Sequence, residues 1–176
     1  MTTEKISLFM QQALSEADLA EQNGDVPVGA VIVKSGQIIA RGHNKREFAI
    51  DTTAHAEIVA IRAACQKLGK WILNDCELYV TLEPCLMCFG AILQARIANV
   101  YFGAYDPKTG ACGSVAEIAT IKDSVLNHHT NIIGGLMEED CSKKLTDFFQ
   151  KKRYYAKANK VNGGEAKEYG QTEKKK

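Results

Sequence analysis

Long apolar runs are missing from this sequence. No window approaches the roughly 18 consecutive apolar residues of a membrane-spanning helix, and the opening MTTEKISLFM lacks the apolar stretch of a secretory signal. A membrane helix and secretion are therefore not expected, and the cytoplasm is the expected compartment. No internal repeat or interior low-complexity linker divides the 176 residues, which suits one domain. A chain of that length buries roughly 70% of its unfolded surface. A disulfide framework is not expected either, because in a reducing compartment the six cysteines read as thiols. Cys65, Cys76, Cys112 and Cys141 are scattered and read as small, partly buried hydrophobes. Overall charge is nearly balanced at a formal +1, but it is unevenly placed. Residues 1–150 hold 13 Lys/Arg against 18 Asp/Glu, a net of −5, whereas residues 151–176 hold 9 against 3, a net of +6. A basic end can bind phosphates by releasing counterions, or simply keep a terminus solvated.

Periodicity supplies the elements. Ile6, Phe9, Met10, Ala13, Leu14, Ala17 and Ala20 fall at helical spacing and predict an amphipathic helix over 3–22. VPVGAVIV (26–33) and IIARGHN (38–44), joined by KSGQ, predict a hairpin. Thr53 is a candidate cap for a helix carrying His55, with Ile58, Val59, Ile61 and Cys65 along its buried side. ELYVTL (77–82) predicts a buried strand, and Pro84 suits the first position of a helix running to about Arg96. NVYFGA (99–104) predicts a strand, followed by a turn at 106–110, helix near 114–121, a short strand near 130–133 and a last helix from about Glu138 to Ala156. Alternating strands and helices argue for an α/β sandwich. Residues 1–156 form the expected domain, and the Gly- and Lys-rich 157–176 an expected basic, disordered tail.

Two stretches carry the chemistry: TAHAEIVA (53–60) and LEPCLMC (82–88). On a helix, Cys85 and Cys88 share a face about a turn apart. A helix N-terminus favours thiolates, and two thiolates invite zinc. His55, at another helix start, is the candidate third ligand. Three protein ligands leave the fourth zinc position open, which is the catalytic pattern, and an ion held this way acidifies a bound water. Residues two apart on a helix do not share a face, so Glu57 is poorly placed as a co-ligand and well placed to move protons beside the metal. A closed zinc site using another cysteine, or no metal at all, remains the structural alternative.

HAE followed by PCLMC resembles the signature of the zinc-dependent nucleobase deaminases. The longer run of DVPVGAVIV, GHN, TAHAE, LYVTLEPCLMC, FGAYDPKTGACGS, LNHH and LTDFFQKKR, from about residue 5 to 155, is similar to the bacterial tRNA-specific adenosine deaminases. This resemblance implies a cytidine-deaminase-like three-layer α/β/α sandwich with a mixed five-stranded sheet. It implies a homodimer acting on a tRNA anticodon stem-loop, where adenosine at the wobble position of an arginine tRNA with an ACG anticodon becomes inosine and ammonia is released. It also implies that His55, Cys85 and Cys88 hold one Zn²⁺ per subunit and that Glu57 shuttles protons. Asn44 would touch the nucleoside. The main-chain amides at Ala56 and near Glu83 would contact the base or an oxyanion. Asp106, Lys108, Asn127 and His128 would face RNA, and Phe148, with Arg153 nearby, would border the bound loop. His43 and His129 are left as surface residues. Phe89, where the family often has a small residue, and Cys112, in a substrate-side loop, depart from the pattern. Two rivals stay open: an enzyme of this fold acting on a free base or nucleoside, and a non-catalytic zinc module that binds RNA or a partner subunit.

Overall fold

The computed structural model describes residues 3–116 and 128–161. Among them the elements run α1 (Thr3–Gln22), β1 (Gly29–Lys34), β2 (Gln37–His43), α2 (Arg46–Ala49), α3 (Ala56–Leu68), β3 (Cys76–Leu82), α4 (Leu86–Gln94), β4 (Asn99–Ala104), β5 (Asn131–Ile133) and α5 (Glu138–Val161). The strands form one mixed sheet in the order β2-β1-β3-β4-β5. β1 pairs antiparallel with β2 and β3, while β3–β4 and β4–β5 are parallel. Ser35 and Gly36, with φ of 51° and 75°, close the β1–β2 hairpin in the left-handed conformation that such tight turns require.

Strand alternation decides the layers. Ala30 and Ile32 of β1, Leu78 and Val80 of β3, and Val100 and Phe102 of β4 share a core with Ala56, Ala60 and Ala64 of α3 and Phe89 and Ile92 of α4. Val31, Val33, Tyr79 and Tyr101 face the other way and pack with Phe9 of α1, Tyr79 stacking on Tyr101 at 4.6 Å between centroids. Met10 and Ala13 of α1, Ala104 at the end of β4 and Cys141 of α5 complete that second layer. The result is the expected three-layer α/β/α sandwich with a mixed five-stranded sheet.

Several local expectations need correction. The buried side of α3 is Ala56, Glu57, Ala60, Ile61 and Ala64; of the expected residues Ile61 is buried and Cys65 packs partly buried against the core, while Ile58 and Val59 are not among the buried residues. The helix lies so close to β2 that a Cβ on Gly42 would stand 2.5 Å from the backbone nitrogen of Ala60, so only small residues fit the seam. Thr53 does not cap α3. Its hydroxyl donates to Asp51 at 2.7 Å, and His55 is the N-cap. Pro84 precedes α4 rather than opening it, because Cys85 is the N-cap, and α4 stops at Gln94. Arg96 then turns the chain at a φ of 57°. The one-turn helix α2, four residues long, is too short to carry a sequence periodicity. Residues 114–116 are not helical, and the rest of the helix expected near 114–121 lies outside the described residues. α5 continues past Ala156 to Val161. Among the described residues no helix is long and apolar enough to cross a membrane.

Candidate active site

Two helix starts meet at one point. His55 is the N-cap of α3 and Cys85 the N-cap of α4, each with extended backbone (φ −71°, ψ 154° and φ −74°, ψ 171°) and neither using its side chain as a cap. Both side chains are therefore left over for another partner. His55 Nδ1 lies 3.7 Å from Cys85 Sγ and 3.4 Å from Cys88 Sγ. The three ligand atoms all lie within 4.8 Å of one another, and among the described residues no fourth His, Cys, Asp or Glu joins them. This group is compatible with a metal ion that keeps one corner open.

Burial and neighbouring groups shift each of these side chains and Glu57. The Cys85 thiol is lowered to about 4 by a hydrogen bond from Cys88 and by His55. Cys88 is raised by the neighbouring Cys85 and by burial. His55 is raised by its bond to Cys85. Glu57, 4% exposed on the first turn of α3, is raised to about 7 by burial. A carboxyl group in that range can both take and give a proton near neutral pH.

A cavity of about 440 Å³ opens above these groups, at the carboxyl ends of the parallel strands β3 and β4, where ligands of α/β sheets bind. His55, Ala56, Glu57 and Cys85 line its floor. Its walls include the expected Asn44, Glu83, Asp106 and Lys108. Asn44 is 6% exposed, and its amide donates to Val26 O at 3.3 Å while Oδ1 has no partner. Ala56, as the first residue of α3, has a backbone N–H without a partner in its own helix. The main-chain N–H of Glu83 is not available to a ligand, since it donates to Ala104 O at 2.8 Å.

Other expected residues lie elsewhere. Phe148 is 0% exposed and packs in the core. Its neighbour Phe149, 42% exposed, lines the cavity instead. A one-residue step on α5 turns a side chain by about 100°, so the FF pair places one ring on each side. His128 is not among the lining residues, and its Nε2 lies 3.0 Å from Ile97 O, at the opposite end of β4 from the cavity. Asn127 lies outside the described residues. Phe89 sits in the core at 1% exposure, not in the cavity wall. The Cys112 thiol is raised to about 12 by burial, so it is no reactive thiolate. His43 is not a free surface residue, because its Nδ1 lies 3.0 Å from Glu16. The sequence reading missed Arg46, Tyr105, Thr109 and Phe149 as lining residues. Of these only Phe149 carried a signal, in the doubled aromatic of LTDFFQKKR.

The profile of the MafB19-like deaminases matches residues 4–153. A tRNA-specific adenosine deaminase of Bacillus subtilis is 44% identical over 155 residues, covering 88% of this chain and 95% of that protein. A structure described as belonging to tRNA:A34 deaminases that edit A to I at the wobble position of transfer RNA matches with a TM-score of 0.75 and 44% identity, over 78% of this chain and 99% of that one. The guanine deaminase of Bacillus subtilis matches with a TM-score of 0.56 and 33% identity, over 96% and 99%. With the buried Glu57 beside the His55–Cys85–Cys88 group at the floor of the cavity, these likenesses show an enzyme: the chain belongs to the MafB19-like deaminase family and, within it, to the tRNA-specific adenosine deaminases.

Proposed function

We propose that this enzyme converts adenosine to inosine at the wobble position of a tRNA anticodon, that of the arginine tRNA with an ACG anticodon, in the cytoplasm and as a homodimer using one Zn²⁺ per subunit. The donor set fits zinc. Tetrahedral zinc with its usual bond lengths separates nitrogen from sulfur by about 3.6 Å, and the two N–S separations of 3.4 and 3.7 Å bracket that value. When bound, zinc supplies a Lewis acid that lowers the pKa of a water.

The chain's own residues do the rest. The attacking water adds to the purine carbon that bears the exocyclic amine. Glu57 takes one proton from the water and passes it to the adjacent ring nitrogen; it then takes the second proton from the new hydroxyl and gives it to the amine, so the carbon–nitrogen bond breaks, ammonia leaves and the carbonyl of inosine forms. Asn44 Oδ1 offers an acceptor to a nucleoside hydroxyl or amine, relieving its own unpaired burial. An unpaired loop nucleotide reaches such a cavity at less cost than a stacked, paired one. Apolar side chains left in water, Leu86 at 66%, Phe48 at 62% and Ile50 at 90% exposure, support a second subunit as their cover.

The observation that carries the reading is a buried carboxyl group, Glu57, beside the three candidate ligands His55, Cys85 and Cys88. The test incubates the protein with arginine tRNA, free adenosine and free guanine and measures inosine, xanthine and ammonia. Inosine in the tRNA is the expected product, with Glu57→Gln keeping its metal but losing turnover. Rapid deamination of guanine with tRNA untouched would replace this reading with the free-base one.

A further inference from the structure

The cavity has two kinds of wall. The metal-binding group and Glu57 stand on the starts of α3 and α4, which the sheet supports directly. Tyr105, Asp106, Lys108 and Thr109 belong instead to the stretch after β4, and no regular element holds it. Within it Asp106 accepts the N–H of Lys108 at 2.9 Å and the hydroxyl of Thr109, and four further hydrogen bonds, from Asp106, Cys112 and Ser114, converge on one side chain outside it. Glu83 is 2% exposed, and both of its oxygens are fully engaged. Oε1 accepts the N–H of Cys112 at 2.8 Å and of Ser114 at 3.1 Å. Oε2 accepts the N–H of Asp106 at 3.0 Å and the hydroxyl of Ser114. Gly110 lets the loop close over the carboxylate, since a Cβ there would overlap Glu83 and stand 2.6 Å from Asp106 O. Gly110 also bridges to Cys85, and Ala111 N–H donates to Pro84 O at 2.9 Å.

A carboxylate has about four acceptor positions, and four donors from the protein occupy them. Glu83 therefore has no acceptor left for a substrate, although it borders the cavity. We propose that Glu83 is a positioning residue: its carboxylate clamps residues 106–114 into the wall that grips the nucleotides flanking the target base. The assignment of those nucleotides rests on the tRNA reading above. The clamp itself does not.

Three of the four donors are backbone N–H groups whose direction cannot change. A glutamine at position 83 must turn its own NH₂ against at least one of them, whichever way the amide is flipped. Glu83→Gln is thus expected to loosen the loop while leaving α3, α4 and the metal group in place. Hydrogen exchange of the ligand-free protein should show the amides of Asp106, Cys112 and Ser114 exchanging about tenfold faster or more, with β3 and β4 unchanged, since bonds to a charged acceptor are worth more than that factor. KM for tRNA should rise about tenfold while kcat stays within about threefold, the loop acting on binding and not on the reacting atoms. Ser114→Ala removes one donor of the four, keeps the fold, and should give the same pattern at smaller amplitude.

Unchanged loop exchange in both variants would overturn the clamp. So would a kcat loss at constant KM, which would put Glu83 on the reacting atoms, or loss of the metal, which would make it a support of that group. A wild-type protein inert toward tRNA would sink the tRNA reading and leave the exchange experiment to decide the clamp.

Discussion

Gly42→Ala is the sharpest test of how the fold positions the site. Gly42 lies in β2 opposite Ala30 and directly beneath the first turns of α3. An added Cβ would stand 2.5 Å from Ala60 N and closer still to Ala56 O, against an ordinary contact of 3.4–4 Å. Both obstacles are backbone, so no rotamer change can yield. The helix must lift from the sheet by about 1 Å, and overpacking of this kind costs about 1–3 kcal/mol. For a chain of this size that is a fall in Tm of roughly 3–10 °C. α3 carries His55 at its cap and Glu57 in its first turn, whereas Cys85 and Cys88 ride on α4, so the shift moves one half of the site against the other. A misplacement of about 1 Å at a reacting centre can cost about 100-fold in rate. Calorimetry, metal analysis and single-turnover deamination should show reduced stability, weaker metal retention and that loss of rate together. Adding Ala60→Gly should not restore them, because the Ala60 side chain is not the main obstacle. Wild-type stability and rate in Gly42→Ala, or full rescue by Ala60→Gly, would refute the backbone-contact argument.

Two further pairs of measurements separate neighbouring roles. Phe148→Ala should cost about 3–5 kcal/mol of stability, as expected of a fully buried ring. Phe149→Ala should leave Tm nearly unchanged and raise KM, since its half-exposed ring lines the cavity; thermal melts beside tRNA kinetics distinguish them, and an exchange of the two phenotypes would contradict the assignment. Asp25, 1% exposed, accepts the N–H groups of Glu47 at 2.9 Å and Phe48 at 3.1 Å and so holds α2, where Arg46 lines the cavity. Asp25→Asn must set its amide NH₂ against one of those donors and should lower stability by about 1–3 kcal/mol in denaturant unfolding, an expectation that an unchanged midpoint would defeat.

Local patterns made much of this protein legible. The helical spacing of α1 and the β-branched strands around a short turn gave the hairpin and the first layer, and NVYFGA marked β4 to the residue. HAE and PCLMC identified the metal-compatible group, because helix starts and a C-x-x-C spacing constrain ligand geometry locally. The two-residue spacing from His55 also set Glu57 apart from the candidate ligands, since residues two apart on a helix do not share a face.

Contacts between distant segments were out of reach of any local pattern. Which face of α3 is buried depended on how closely β2 approaches it, and periodicity favoured the larger Ile58 and Val59 over the alanines that the seam selects. Choosing between Phe148 and Phe149 needed the rotation of α5 against β4. The role of Glu83 needed the return of residues 106–114 over its carboxylate, a pairing of donors and acceptor 23 to 31 positions apart. Sequence spacing encodes chemistry whose partners lie within one helical turn or one strand. It is silent on which backbone N–H groups a buried carboxylate meets, because chain folding brings them together.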